Sequence, residues 1–238
     1  SAVMAYGRVE QIERSLNRIF AIMGESPSEF IYSFDERKRK KFYDFKYRFT
    51  RGNDISDLLE ILKKTTIRWG SLENLFIEGY KKSDKNIIGA LSNFSQTLAG
   101  IYAQNHNGNV SRGIKYLLTN PGQKSACKRL NLFLRWMVRC DNVDSGLWKS
   151  VDKSKLIVPV DVHMARLCKI LGFYINKTVS LKTAVKITAG FAQLVPDDPV
   201  KYDFALSRIG IVEKCNGKYR VECLECGLAE ICKINNRK

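Results

Sequence analysis

The sequence predicts an all-α fold organised as two helical lobes. Apolar residues recur at every third or fourth position through most of the 238-residue chain, and no stretch alternates cleanly with period two. Ser, Asp and Gly separate the periodic segments at positions typical of helix caps. Hydrophobic residues form 45% of the chain, which suffices for a packed interior. We therefore expect one helical unit over residues 1–238, without an internal repeat.

The first elements follow from spacing and capping. Apolar positions predict a helix over Val9–Met23, which Gly24 ends. Ser26 then acts as an N-cap, with Pro27 in the first turn and Glu29 completing a capping box.

A basic run with interleaved aromatics occupies residues 35–49. Phe42, Phe45 and Phe49 stand at helical spacing among Lys and Arg residues, so we predict a helix here. Its charged face is either an ordinary solvated surface or a surface that faces phosphates.

The remaining predicted helices are delimited by caps and loops. Helices are predicted to begin at Asp54 or Ser56, at Ser71 and near Val110, and a long helix is predicted over 86–102. A helix over 127–139 is predicted between the two lobes. Two further helices are predicted over 180–194 and 197–210, the last with Asp198 as its N-cap and Pro199 in its first turn.

Charge is the clearest bulk signal of function. Forty Lys and Arg against 24 Asp and Glu give a net charge of +16 and a pI near 9.6. Such a field attracts polyanions, and nucleic acid is the usual partner of a chain this basic. No basic amphipathic segment with an exposed aromatic edge favours a membrane.

Cysteine usage indicates the compartment. Cys127, Cys140 and Cys168 stand singly in apolar patterns, where a free thiol behaves as a small hydrophobe. The start of the chain does not resemble an export signal, so disulfides are disfavoured and we expect a reduced cytoplasm or nucleoid.

The segment 117–139 has the outline of a helix–hairpin–helix. An Asn-Pro-Gly turn separates two predicted helices, and the second of these begins by Ser125. Backbone N–H groups at such a turn can face a DNA phosphate. The alternative is an ordinary helical hairpin whose long basic side chains surround a buried helix. The candidate DNA-binding residues are Asn120, Gly122, Lys124, Arg129, Arg135, Arg139 and Lys218.

The stretch Val-Pro-Val-Asp-Val-His leads an apolar run to Asp161, where a helix is predicted to begin. As an N-cap, Asp161 accepts backbone N–H bonds at the positive end of the helix dipole. Most such residues serve only as caps, and His163 two positions later is typical of a packing residue.

Four cysteines close the chain in the pattern Cys-x7-Cys-x2-Cys-x5-Cys. Zinc modules usually contain two Cys-x2-Cys pairs, whereas one pair with single cysteines outside it suits four thiolates around a [4Fe–4S] cluster. We expect Cys215, Cys223, Cys226 and Cys232 to bind this cluster within a C-terminal loop over 211–238, with zinc as the alternative metal.

Together, the hairpin, "VDVH" and the cysteine tail resemble the helix–hairpin–helix DNA glycosylase superfamily, which includes endonuclease III. That superfamily places its catalytic Asp in a Val-Asp-x-His segment, so the resemblance assigns this role to Asp161. Its cysteine loop has one residue fewer in the first gap, and its hairpin has one more glycine.

"AYGRVEQIERSL", "CKRLNLFLRWMVR" and "DPVKYDFAL" resemble more closely an uncharacterised bacterial family known only as a domain of unknown function. The archaeal 8-oxoguanine glycosylases are the enzymes to which it is most similar. Lys128 stands where that group has its catalytic lysine, and Lys124 is the rival, because "KSACKRL" also aligns with the lysine segment of endonuclease III.

The resemblance implies a bifunctional DNA glycosylase and AP lyase of base-excision repair. The enzyme would act as a monomer on double-stranded DNA and excise an oxidised purine such as 8-oxoguanine, flipped into a pocket between the lobes. Two alternatives stay open: a non-catalytic DNA-binding protein with a degenerate glycosylase fold, and a zinc-stabilised RNA-binding helical protein.

Overall fold

Helices dominate the protein, which confirms the predicted all-α class. The computed structural model describes residues 1–123, 125–176 and 178–235. Eleven α-helices and one two-stranded hairpin occur in these described residues. The chain divides into two compact units, Ser1–Gln123 and Lys124–Lys238.

The first unit contains seven α-helices and the hairpin among its described residues. In chain order they are α1 (Val9–Met23), α2 (Pro27–Tyr32), α3 (Glu36–Lys40), β1 (Lys46–Tyr47), β2 (Thr50–Arg51), α4 (Gly52–Trp69), α5 (Leu72–Glu78), α6 (Ile88–Gln104) and α7 (Arg112–Leu117).

Local capping sets most of these boundaries as predicted. Gly24 ends α1 with a positive φ of 76°, a conformation that favours glycine. The hydroxyls of Ser26, Ser71 and Ser111 each accept a backbone N–H at the start of α2, α5 and α7. The interior of the unit forms where α4 packs on α5, α6 and α7.

The prediction of one helix over 35–49 is wrong. Helix α3 ends at Lys40, and β1 and β2 pair as an antiparallel hairpin, Tyr47 opposite Thr50. Phe42 and Phe45 are buried at 0% and 3% exposure, whereas Phe49 is 67% exposed. The three rings therefore do not share one helix face.

Helix α4 begins earlier than its predicted start at Asp54 or Ser56. It begins at Gly52, where a Cβ atom would lie only 1.7 Å from the carbonyl oxygen of Phe42. Asp54 does not cap the helix from outside; it lies inside the first turn and accepts the N–H of Arg51 at 2.7 Å.

The second unit is built on four α-helices among its described residues: α8 (Lys128–Val138), α9 (Val162–Ile170), α10 (Leu181–Leu194) and α11 (Asp203–Ile211). Helix α8 begins at Lys128 and not by Ser125, because Cys127 before it has left-handed backbone with φ 47°. Helices α9 and α11 pack against each other.

The predicted cap of the last helix is also wrong. Helix α11 begins at Asp203, and Asp198 instead accepts two hydrogen bonds of 3.0 Å from Nε of Arg139. Pro199 therefore lies in the turns before the helix. The carboxylate of Asp198 therefore binds the buried guanidinium of Arg139 and does not cap α11.

The described part of the tail, up to residue 235, follows α11 without an α-helix. Two short 3-10 helices, Val221–Leu224 and Ala229–Ile231, are its regular elements within these residues. Across all the residues described, no helix combines the length and apolarity needed to cross a membrane.

Candidate active site

A buried extended segment, residues 156–160, precedes Asp161, and Asp161 lies where this segment reaches the surface of the second unit. Leu156, Ile157 and Val158 are at most 2% exposed, and the N–H of Val158 donates to Oγ1 of Thr188 at 3.0 Å. Asp161, which follows, is half-buried. The apolar run therefore fixes where the first polar side chain emerges.

Asp161 is the N-cap of α9, as predicted. Its Oδ1 accepts the backbone N–H groups of His163 at 2.9 Å and Met164 at 2.8 Å. These bonds fix the carboxyl group at the positive end of the helix dipole. No described residue donates a hydrogen bond to its Oδ2.

Lys128, the first residue of α8, lies on the same cavity as Asp161. Burial lowers the pKa of its ammonium group, and the charge of Arg129 lowers this pKa further. Asp161 acts in the opposite direction, since its carboxylate is close enough to raise the pKa of Lys128. The structure thus brings the two predicted catalytic residues together.

The cavity has a volume of about 380 Å³, within the usual range of small-molecule sites. Its walls are mainly apolar and include the rings of Trp136 and Phe204, with a few polar groups among them. The lining residues are Lys128, Leu132, Arg135, Trp136, Val143, Pro159, Asp161, Met164, Asp203, Phe204 and Ser207.

Asp203 is a second carboxyl group on this cavity, and it was not among the residues predicted from the sequence. The residue is 4% exposed, and burial raises its pKa to about 7, although the nearby Arg135 acts to lower it. Nε of Arg135 lies 3.2 Å from Oδ1 of Asp203, yet this oxygen accepts no hydrogen bond from the described residues. Asp203 therefore faces the cavity side of the unit with an unsatisfied oxygen.

Arg135 and Arg139 are buried, which contradicts their prediction as DNA-binding residues. They are 3% and 7% exposed. Arg135 pairs with Asp144 at 3.0 Å, and Arg139 binds Asp144 at 2.6 Å and Asp198 at 3.0 Å. These guanidinium groups neutralise buried carboxylates and are not available to DNA phosphates.

The Asn-Pro-Gly turn satisfies its own backbone. Oδ1 of Asn120 accepts the N–H of Gly122 at 2.7 Å and the hydroxyl of Ser92 at 3.1 Å. The N–H of Gly122 is therefore already bonded within the chain, and DNA binding by Asn120 and Gly122 stays a prediction.

The other predicted contacts differ in their surroundings. Arg129 is half-buried beside Lys128, and Lys218 is exposed on the tail. Lys124, the rival lysine and a candidate DNA contact, lies outside the described residues.

The cysteine tail is tied to α9. Nη1 of Arg166 donates to the carbonyl oxygen of Cys215 at 2.7 Å, and Gly217, with φ 79°, lies beside the Arg166 side chain. Helix α9 therefore carries Asp161 at its start and anchors the tail one turn later.

The donor set of the tail fits a thiolate-bound metal in its chemistry. All four cysteines are free and partly accessible, and Sγ of Cys223 accepts the N–H of Arg220 at 3.4 Å, a contact that supports a sulfur ligand. Within residues 1–123, 125–176 and 178–235, no three Cys, His, Asp or Glu side chains lie close enough to hold a metal ion.

These features define a helical protein with a lysine and two carboxyl groups on one cavity. The family described as "Protein of unknown function (DUF2400)" matches residues 1–212. The chain belongs to this family. The match includes the cavity and ends before Cys215, so the cysteine tail lies beyond it. Neither the curated proteins nor the solved structures searched give a match.

Proposed function

We propose that the protein is a DNA base-excision glycosylase with an associated AP lyase activity. The observation that carries the proposal is the shared cavity of Lys128 and Asp161, in which the amine has a lowered pKa. The net charge of +16 supports a polyanionic substrate. The fold class, the helix–hairpin–helix glycosylase, is part of the same proposal.

Asp161 would stabilise the charge that develops on the sugar. As the N-glycosidic bond breaks, its electron pair leaves with the base and positive charge builds on the deoxyribose ring. A fixed carboxylate beside C1′ stabilises that charge without reorganisation. The two backbone bonds to Oδ1 hold the group in one position, which supports this role.

Lys128 would act as the nucleophile. Once the base has left with the electron pair of the N-glycosidic bond, a neutral amine adds to C1′, forms a C–N bond and loses a proton. The C1′–O4′ bond then breaks, O4′ takes up a proton, and a Schiff base results. Loss of a proton from C2′ to solvent then breaks the C3′–O bond, and the 3′ phosphate leaves with that electron pair, which cuts the strand. The lowered pKa of Lys128 supports the role because it increases the fraction of neutral amine at pH 7.

Recognition of an oxidised purine such as 8-oxoguanine belongs to this proposal. Trp136 and Phe204 give the cavity flat apolar walls, and Arg135, Asp203 and Ser207 add polar groups. A planar base with a polar edge fits such a lining.

The four tail cysteines, Cys215, Cys223, Cys226 and Cys232, would hold a [4Fe–4S] cluster. When bound, the cluster supplies rigidity to the loop and no redox step. The exposed Lys218 would then have a fixed position beside the DNA backbone. A brown protein with iron and sulfide in stoichiometric amounts supports the cluster, whereas a colourless protein with zinc supports the alternative metal.

Borohydride trapping on duplex DNA containing 8-oxoguanine tests the catalytic proposal. Wild type should give a covalent protein–DNA adduct, and Lys128→Ala should give none. Lys169→Ala is the matched control, because this lysine is exposed on α9.

Three outcomes would overturn the assignment. Absence of an adduct in wild type across a panel of lesions would favour a non-catalytic DNA-binding protein. An undiminished adduct in Lys128→Ala would exclude Lys128, and loss in Lys124→Ala alone would move the nucleophile to the rival lysine.

A further inference from the structure

The turn between β1 and β2 presents a cation and an aromatic ring side by side. Arg48 and Phe49 form its tip; Arg48 has left-handed backbone with φ 49°, and Phe49 is 67% exposed. A non-glycine residue in this conformation is uncommon and costs free energy. The hairpin thus holds a large apolar side chain in water at the end of a tight turn.

The Phe49 ring is mounted on other rings and is not a loose surface side chain. Its centroid lies 5.7 Å from that of Tyr116, with the planes at 69°. Tyr116 packs edge-on against Tyr6 at 5.2 Å, and Tyr6 lies 4.8 Å from Tyr47. Aromatic pairs in such geometries stabilise one another.

Hydrogen bonds hold the buried end of this set of aromatic rings in place. The hydroxyl of Tyr6 donates to Oγ1 of Thr50 at 2.6 Å, and the hydroxyl of Tyr47 donates to the carbonyl oxygen of Tyr6. Tyr47 and Thr50 are buried at 5% and 1% exposure. We name Tyr6, Tyr47, Tyr116 and Phe49 the aromatic platform; Phe49 is its exposed end.

Positive charge surrounds the exposed ring. The hairpin sequence Lys46–Arg51 contains three basic residues and no acidic one, and Lys46, Arg48 and Arg51 are all exposed. Cζ of Arg48 lies 5.6 Å from the centroid of Phe49. The two nearest acids in sequence flank the hairpin, and one of them, Asp54, already binds the N–H of Arg51.

We propose that this hairpin binds nucleic acid, with Phe49 stacked on an unpaired base and Lys46, Arg48 and Arg51 in contact with its phosphates. Base–aromatic stacking tolerates any sequence because every base has a π-face, and cations beside the ring follow the backbone. Charge complementarity with a chain of net charge +16 favours this partner. The inference deepens the proposed DNA binding, but it needs neither Lys128 nor Asp161.

The binding constants of hairpin variants test the proposal. They are measured in an Asp161→Asn background, so that no substrate is consumed, on a single-stranded oligonucleotide, a duplex with a one-base bulge and a fully paired duplex. Phe49→Ala should weaken binding to the first two by about tenfold and to the paired duplex much less. Phe49→Trp should bind as tightly as the parent, and its indole fluorescence should be quenched by the oligonucleotide.

The control is Tyr32→Ala, which removes a ring that is 64% exposed on α2 of the same unit. It should change each constant by less than about twofold, as expected of a surface substitution. Arg48→Ala should reduce the slope of log K against log salt by about one unit.

The proposal is wrong if Phe49→Ala and Tyr32→Ala bind unpaired DNA equally well, or if Phe49→Trp shows no quenching. It is also wrong if Phe49→Ala loses binding only to vesicles of phosphatidylserine and phosphatidylcholine, which would make the surface a membrane contact. Borohydride trapping with intact Asp161 separates the two proposals. If an adduct is trapped but Phe49→Ala binds unpaired DNA as tightly as its parent, only the proposal for the hairpin is refuted. A stacking effect without any adduct refutes the catalytic assignment alone.

Discussion

Asp161 and Asp203 both stand at the start of a helix and both line the same cavity, but different groups support them. Asp161 is half-buried, and two backbone N–H groups replace the water that its Oδ1 has lost. Asp203 is 4% exposed, and a single guanidinium, that of Arg135, lies beside its Oδ1 without a hydrogen bond. One aspartate is thus positioned by the backbone and the other by a buried ion pair, although their sequence contexts look alike.

Among the changes that test this comparison, removal of Arg135 should have the largest effect, and it should lower the stability of the protein. Arg135→Met leaves Asp203 and the fully buried Asp144 without one cation, and breaking a buried pair in this way lowers the free energy of unfolding by about 3–5 kcal/mol. Urea unfolding gives the value. Arg208→Met is the control, because Arg208 is exposed and lies over the ring of Phe204.

Adding Asp203→Asn to Arg135→Met should recover part of this loss, since one of the unpaired carboxyl groups is then gone. A double variant no more stable than Arg135→Met would show that Arg135 acts through Asp144 alone. The contrast between the two aspartates would then lose its basis.

Asp161→Asn should give the next largest effect, and in activity only. Asn caps a helix as well as Asp does, so stability should change little, whereas base excision in a single turnover should fall by at least about 100-fold, about 2.7 kcal/mol. Asp152→Asn, at the cap of a short 3-10 helix, is the control. Equal activity of Asp161→Asn and wild type would leave Asp161 as a cap only.

Asp203→Asn should have the smallest effect, and it should depend on pH. The pKa of Asp203 rises from its ordinary 3.8 to about 7 in the folded chain, so between these values unfolding releases a proton. The stability contributed by this group is therefore present at acid pH and is lost as pH rises to about 7.

Asparagine stays neutral, so the Tm of Asp203→Asn relative to wild type should be roughly 2–5 °C higher at pH 8 than at pH 5. Calorimetry at the two pH values measures the difference. A variant destabilised equally at both would show that packing, and not titration, decides the role of this residue.

The sequence sufficed wherever the determining contacts are local. The α1 boundary at Gly24 and the cap of α9 at Asp161 depend on residues at most four positions apart, and both were predicted correctly. The hairpin was missed because Phe42, Phe45 and Phe49 satisfy a helical spacing. The chain instead turns back and brings Gly52 against the carbonyl of Phe42, a contact that no periodicity shows.

The site was predictable only in part for the same reason. The local sequence identifies Asp161 as an N-cap. The burial of Arg139, in contrast, depends on its contact with Asp198, which lies 59 residues further along the chain. Two arginines spaced by four on an apolar helix could have indicated a buried pair, yet their carboxylate partners come from separate segments. Asp203 carried no local signal, since it joins the cavity only through the packing of α11 on α9.

That packing has a consequence for how the family can vary. A Cβ atom at Gly210 would lie 2.7 Å from Cβ of His163 and 2.8 Å from its Nδ1, so the imidazole occupies the space of the missing methyl group. Helices α9 and α11 can therefore pack this closely only because residue 210 has no side chain. The width of the cavity that their first turns enclose depends on the same close packing. Relatives that carry alanine or serine there should compensate with a smaller residue at 163, and a lone change at either position should alter which ligands fit.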